Sequence, residues 1–300
     1  MDRKGSKGSR GQGAKGSDTG TLEPLKPRTL RLGRLPVHLI LVLGGVAMVL
    51  PFFWMVSTSL KTPLEALKFP PTWLPASPQF GNYLEVFRQI PLWRYMLNTV
   101  FLTFATLMGV LFTGVLAAYA FARFRFWGRE AMFMFFLALM MIPLPVYLVP
   151  SYMILFKLGW IDTFAAMIVP WVVNIFGIFL LRQHFRQLPN DLFDAARIDG
   201  CSRFSTLFRI VIPLSKPPLV TITVFNVIGS WNSFFWPLIV THSDNIRPLQ
   251  VGLAYFSREQ STNYTLLMAA TTIAIIPLIV LFFVAQKQII QSQARSGLKE

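Results

Sequence analysis

Long apolar runs constrain the fold of this chain more than any other feature. Several exceed the roughly 20 residues that an α-helix needs to cross a hydrocarbon core about 30 Å thick. In that medium each backbone N–H and C=O must find its partner within the segment, so a helix is what such a run can form. The first run begins near Pro36 and reaches about Leu60, and five more cover about residues 93–122, 130–156, 161–182, 215–240 and 264–289. The pattern predicts an all-α polytopic membrane protein with six transmembrane helices. Only 14% of the 300 residues are charged, whereas soluble domains carry about 25%. The first run is too long and too far from the N-terminus for an ordinary signal peptide, and is expected to stay as an anchor.

Six spans put both termini on one side, and the basic residues say which. Of the 28 Lys and Arg, only Lys61, Lys68, Arg88, Arg94, Lys157, Arg247 and Arg258 fall on the opposite side. The others lie in the N-terminal tail, the short loop ARFRFWG, the loop between the fourth and fifth runs, and the C-terminus. By the positive-inside rule that face is cytoplasmic, which predicts a multi-pass protein of the cell membrane with both termini inside. The formal net charge of +15 is therefore mostly topological. It does not point to nucleic acid, because no aromatic-basic platform accompanies it. Residues 1–34, rich in Gly, Ser and Lys, bury too little to offset ordering entropy and read as a disordered basic cytoplasmic tail. The membrane domain then covers 35–300. Within the tail, Gly11, Gly13 and Gly16 match a dinucleotide fingerprint, but no strand precedes them and no amphipathic helix follows.

The chemistry is mostly uncharged. One cysteine, Cys201, leaves no intramolecular disulfide, and His38, His184 and His242 stand far apart at expected membrane boundaries. No metal-ligand spacing occurs, and no cofactor is expected. No G-x-x-x-x-G-K-[ST] loop occurs either, so any use of ATP must come from a partner. The span centres lack the carboxylates and histidines with which ion-coupled carriers relay protons, and no internal repeat of the secondary-transporter kind is visible. They do hold Asn98, Thr103, Thr106 and Tyr119 in the second span, Asn174 in the fourth, and Asn226, Ser230, Asn232 and Ser233 in the fifth. A neutral polyhydroxylated solute needs such donors and acceptors beside aromatic faces such as Trp231. Asn226, Ser230, Trp231 and Asn232 are the candidate pathway residues, with hydrogen bonding between helices as the other use of the same groups.

The third run contains MIPLPVYLVPSY, where Pro143, Pro145 and Pro150 each remove a backbone donor. Two arrangements fit: irregular backbone against protein or a water-filled cavity, or a turn emerging at the interface. Pro170, Pro237 and Pro277 are expected to kink or bound their spans.

The loop between the fourth and fifth runs, RQHFRQLPNDLFDAARIDGCSRFSTLFRIVIPLSKPP, reads as two short helices. The first starts after Pro189 with Asn190 or Asp191 as N-cap and stops at Gly200. Leu192, Ala195, Ala196 and Asp199 share one face, small and shallow enough for another protein to approach. In the second, Phe204, Leu207, Phe208 and Val211 follow i, i+3, i+4, i+7, a stripe suited to a membrane interface or the underside of the bundle. From the residues alone this is a docking surface without a named partner, or an amphipathic linker.

DLFDAARIDGCSRFSTLFRIVIPLSKP resembles the EAA loop of binding-protein-dependent ABC importer permeases, whose pattern is approximately E-A-A-x-x-D-G-A, then about nine residues and L-P. Asp194, Ala195, Ala196, Asp199 and Gly200 match in order. AAYAFARFRFWGR, IPLPVYLVPSYMILFKLGWIDT, SWNSFFWPLIV, PLQVGLAYF and the terminal SGLK are similar to the maltose-type carbohydrate permeases of the MalG-like branch, from about residue 35 onward. Asp194 stands where the motif has glutamate, Cys201 where it has alanine, and Glu300 where a terminal glycine is common.

The resemblance implies a type I ABC importer permease architecture, with the EAA coupling loop at 188–218. It implies a second permease subunit in a heterodimer, two cytoplasmic ATPase subunits and an extracytoplasmic solute-binding protein. The substrate would be a sugar, oligosaccharide or related polyol, and the chain itself would not be an enzyme. A stand-alone secondary carrier or channel for a neutral polar solute is the alternative, and a membrane enzyme is more distant.

Overall fold

The computed structural model describes residues 35–258 and 263–296. The basic tail at 1–34 and the terminal residues 297–300 lie outside the described residues, as do 259–262. Among the described residues every regular element is helical. In chain order they are α1 Leu35–Ser59, α2 Pro63–Ala66, α3 Gly81–Gln89, α4 Leu92–Arg123, α5 Arg129–Leu139, α6 Leu144–Lys157, α7 Phe164–Ile168 and α8 Ile175–Gln187. There follow α9 Asn190–Ile198, α10 Arg203–Thr206, α11 Ile212–Leu214, α12 Lys216–Trp231, α13 Phe235–Val240, α14 Leu249–Leu253, α15 Tyr255–Arg258 and α16 Tyr264–Ser296.

Four stretches are long and apolar enough to cross a membrane, Pro36–Ser59, Leu92–Arg123, Phe164–Gln187 and Tyr264–Val284, and two bent pairs raise the number to six. The expected third span is one such pair. Helix α5 runs out through tight turns at Met140–Ile142, Pro143 is extended, and α6 departs at 100°. The prolines explain this: a residue before proline is held away from helical backbone. The expected fifth span at 215–240 is interrupted at the proline expected to kink or bound it. It is not one helix, because α12 ends at Trp231 and α13 restarts at Phe235. Pro237 has no N–H to give the Ser233 carbonyl, so the ladder fails there. On its other side α12 meets Arg203–Leu214 at 79°. The fourth span is interrupted as well, by a 3₁₀ turn at Val169–Trp171 before α8 begins.

Helix α4 is the central strut, packing on α8, α12, α7 and α14. Three apolar clusters follow one another along it. Leu92 and Tyr95 join Trp231, Leu249 and Ala270 at its N-terminal end. Leu102 joins Met167 and Trp236 in the middle, and Val110 to Phe121 join Leu181, Phe185, Leu207 and Val211 toward its C-terminal end. Close approach is built in: a Cβ on Gly109 would lie 2.5 Å from Val172 Cγ1, and one on Gly252 would collide with the Tyr95 ring. Residues 36–49 belong to a unit of their own, and their apolar side chains are exposed, as on a helix that meets lipid.

Candidate functional site

Near the middle of α4, a cavity of about 320 Å³ opens among α4, the interrupted fourth span and α12. That volume is within the range of small-molecule sites. Its polar walls are Thr106, Asn174, Asn226, Ser230 and Ser233, and its aromatic walls are Trp171, Phe176 and Phe225. No charged side chain lines it. Asn174 belongs there because it caps α8: its Oδ1 accepts from Gly177 N at 2.7 Å, which satisfies one of the free donors of a helix start. Asn226 Oδ1 is buried with no hydrogen-bond partner. A buried acceptor left unmatched costs about 1–3 kcal/mol, so this oxygen is available to a ligand hydroxyl.

Of the four nominated pathway residues, Asn226 and Ser230 line this cavity, whereas Trp231 and Asn232 do not. Trp231 is buried, and its Nε1 donates to Ala274 O at 3.2 Å, fastening α12 to α16. Asn232 donates from Nδ2 to Ile228 O at 2.9 Å, closing the end of α12. Asn98, also one of the polar groups in the spans, donates to the Asn245 and Arg247 carbonyls and anchors the segment after α13. Trp171 and Phe225 escaped the sequence reading, because aromatic residues in an apolar run carry no mark of the side they face.

At the C-terminal end of α4 lies the loop 188–218. Helix α9 occupies Asn190–Ile198, but neither Asn190 nor Asp191 caps it with a side chain, and Pro189 holds the cap position. Asn190 Oδ1 is taken instead by Arg123 Nη1, at 2.8 Å. The stop is as expected: Gly200 has φ 73, its N–H donates to Arg197 O at 3.0 Å, and Cys201 N donates to Ala196 O at 2.8 Å. These two bonds form a Schellman motif, which favours glycine because an L side chain is strained at that φ.

The faces of α9 are also corrected. Ala196 is 3% exposed and shares the inner side with half-buried Phe193, so it does not join Leu192, Ala195 and Asp199 on the open face. Ile198, 87% exposed, completes that open face instead. Asp194 is exposed and paired with Arg197 at 3.1 Å. The second stripe divides because Leu207–Val211 is a π-helix, in which the longer turn rotates the side chains. Leu207 and Val211 are fully buried, while Phe204 and Phe208 are exposed.

Two arginines join the loop and its neighbouring helices. Arg123, the last residue of α4, donates from Nη2 to Phe185 O at 2.5 Å and Leu188 O at 2.6 Å, while its guanidinium lies over the Phe193 ring. The end of α4, the end of α8 and the start of α9 are thereby one unit. Buried Arg182 on α8 donates to Glu130 Oε2 at 2.5 Å and to Phe121 O at 3.3 Å, and stacks on Phe133, adding the start of α5. The sequence presented both arginines only as topological charge.

At the opposite end of α4, Asp162 (φ 61) clasps the segment after α13. Its carboxylate accepts from His242 N at 2.8 Å and Ser243 N at 3.0 Å, and its own N–H donates to Val240 O. Burial pushes the Asp162 carboxyl up, but the donors on Ser243 and His242 together outweigh it and hold the group below its ordinary value. Among the described residues no group of His, Cys, Asp or Glu is arranged to hold a metal.

The family model described as "Binding-protein-dependent transport system inner membrane component" matches residues 111–295. The arabinooligosaccharides transport system permease protein AraQ of Bacillus subtilis (strain 168) is 32% identical over 270 residues, covering 89% of this chain and 96% of that protein. The diacetylchitobiose uptake system permease protein NgcG of Streptomyces coelicolor is 30% identical over 266 residues, covering 87% of this chain and 88% of that one. Among solved structures, a chain of a bacterial ABC transporter involved in the import of the acidic polysaccharide alginate superposes with a TM-score of 0.77 at 25% identity, covering 88% of this chain and 99% of that chain.

Proposed function

We propose a mechanism that proceeds from one premise: this chain belongs to the family of inner membrane components of binding-protein-dependent transport systems. It is a multi-pass permease subunit of an ABC importer, and ATP hydrolysis resides in separate subunits. The solute is a neutral sugar, oligosaccharide or related polyol. Thr106, Asn174, Asn226, Ser230 and Ser233 offer it uncharged hydrogen-bonding groups, and Trp171 and Phe225 offer aromatic faces. Trp231 and Asn232 hold the end of α12 in place. The absence of a charged wall disfavours ion-coupled transport of the secondary-carrier kind.

In this reading a solute-binding protein delivers the solute on the extracytoplasmic side, a second permease subunit completes the pathway as a heterodimer, and two ATPase subunits dock from the cytoplasm. Both termini, including the basic tail at 1–34, are on the cytoplasmic side. The loop 188–218 is the coupling element: Leu192, Ala195, Ile198 and Asp199 face the ATPase, Gly200 sets the stop, and Ala196 packs beneath. Asp194 stays on the rim, where Arg197 balances it.

The observation that carries the reading is the Arg123 latch. A coupling element has to be mechanically continuous with the helices it moves, and Arg123 joins the docking helix to the ends of α4 and α8. Helices α4 and α8 both continue to the cavity, so a push on α9 reaches its walls.

Uptake into vesicles holding the complete importer tests this. ATP-dependent accumulation of a sugar is expected, and Gly200→Pro is expected to abolish it while the complex still forms in the membrane. Uptake by this chain alone, or uptake unaffected by Gly200→Pro, would overturn the reading.

A further inference from the structure

A second cavity, of about 640 Å³, lies between the inner side of α9 and the end of α4. It is separate from the solute cavity, and it lies on the side of α9 away from Leu192, Ala195 and Ile198. Four guanidiniums line it, those of Arg123, Arg125, Arg197 and Arg203, against one carboxylate, Asp194. Arg197 already neutralises Asp194, and Arg123 is committed to main-chain oxygens. Among the described residues Arg125 and Arg203 have no carboxylate partner; Arg203 rests over the Phe124 ring, 4.8 Å from its centroid. Asn190, Tyr119 and Thr206 add neutral polar groups to the same walls.

We infer that this pocket binds a phosphoryl anion through Arg125 and Arg203. Guanidinium forks match the oxygens of such a group bidentately, and of the neutral groups Asn190 Nδ2 and the Tyr119 hydroxyl serve the oxygens that remain, since Thr206 donates to Ser202 O. A helix of 32 residues outruns a core about 30 Å thick, so the end of α4 reaches the headgroup zone. Beside the pocket, Phe126 and Trp127 are exposed, the latter at 98%. Aromatic and basic residues side by side mark a membrane interface. Two sources share this chemistry, the headgroup of an anionic phospholipid and free phosphate.

The test uses the delipidated full chain in detergent, titrated with dioctanoylphosphatidylglycerol, dioctanoylphosphatidylcholine and inorganic phosphate, and read by native mass spectrometry and calorimetry. Phosphatidylglycerol is expected to bind at least about tenfold more tightly than phosphatidylcholine, a preference lost in R125Q/R203Q, partly kept in R125K/R203K and intact in R88Q. Phosphate that binds alone and displaces the lipid assigns the free anion as the source; binding of the lipid only assigns the headgroup. Unfolding temperatures without ligand show whether each variant is folded. Equal binding of the two lipids with no binding of phosphate, or anion binding unchanged in R125Q/R203Q, would overturn the inference.

Discussion

The guanidinium of Arg123 lies 3.8 Å from the centre of the Phe193 ring, so the last residue of the central strut is seated on α9. The same group reaches the Phe185 and Leu188 carbonyls. Arg123→Gln is therefore expected to separate ATP hydrolysis from uptake: in the reconstituted importer, transport per ATP falls several-fold while the complex still assembles. Stability falls by about 1.5–3 kcal/mol, the range for hydrogen bonds involving a charged group. A double-mutant cycle with Phe193→Leu, read by thermal unfolding, should show a coupling of about 0.5–2 kcal/mol. Full additivity would mean that the contact contributes nothing.

Accessibility on α9 separates neighbouring alanines. A cysteine at Ala195 or Ile198 should crosslink to the ATPase subunit in the assembled importer, whereas one at Ala196, which is 3% exposed, should not. Ile198→Asp should prevent co-purification of the ATPase and leave the unfolding temperature of the permease unchanged, since an exposed side chain takes no part in the core. Crosslinking at Ala196 equal to that at Ala195 would reverse the assignment of faces.

Gly200 at φ 73 can be tested without breaking the chain. Gly200→Ala should cost about 1–2 kcal/mol for a left-handed non-glycine residue. Gly200→Asn should cost less, because asparagine tolerates that region. The same order is expected for uptake rates.

In the cavity beside α4, Asn226→Leu removes a buried oxygen that has no partner. The unfolding temperature should hold or rise, because an unmatched polar group has been replaced by an apolar one of similar size. Sugar uptake should nevertheless fall by about tenfold if that oxygen serves a solute hydroxyl. Loss of stability and uptake together would instead indicate a structural role.

Asp162 gives a pH dependence with a defined sign. Its folded-state value lies below the ordinary carboxylate value of about 3.9. The stability it contributes is complete above that ordinary value and is lost as pH falls through the lower folded one. Asp162→Asn keeps an accepting oxygen and a residue tolerant of positive φ, and should flatten this acid limb of the unfolding curve. Asp162→Ala should lower stability at neutral pH as well. Unfolding temperatures measured from about pH 2 to pH 6 span the window.

Much of the architecture was legible in the chain. The lengths of the apolar runs gave the spans, since the solvent they cross has a fixed thickness. Gly200 gave the helix stop, since few other residues take that backbone conformation, and Pro143 and Pro145 gave the break in the third span. Pro237 marked an interruption in the fifth span, and the helix stops as early as Trp231 because a proline acts four residues before itself, on the carbonyl it leaves unbonded. Local spacing offers Asn190 or Asp191 as a cap, but a long-range donor, Arg123, claims the Asn190 side-chain oxygen. Asn226 and Ser230 were found among the polar groups of α12, while Trp231, on the same helix, turns toward α16.

By itself, then, the sequence determined which runs are long enough to cross a bilayer, the stop at Gly200 and the family motif around it, because each depends on local backbone chemistry or on the length of a run. Which face of α9 is open, which asparagine keeps a free oxygen, and which arginines are occupied were decided by tertiary structure alone. Those properties belong to pairs of groups far apart in the chain, such as Arg123 with Phe193 and Trp231 with Ala274. No periodicity in a single segment encodes a partner that another segment supplies.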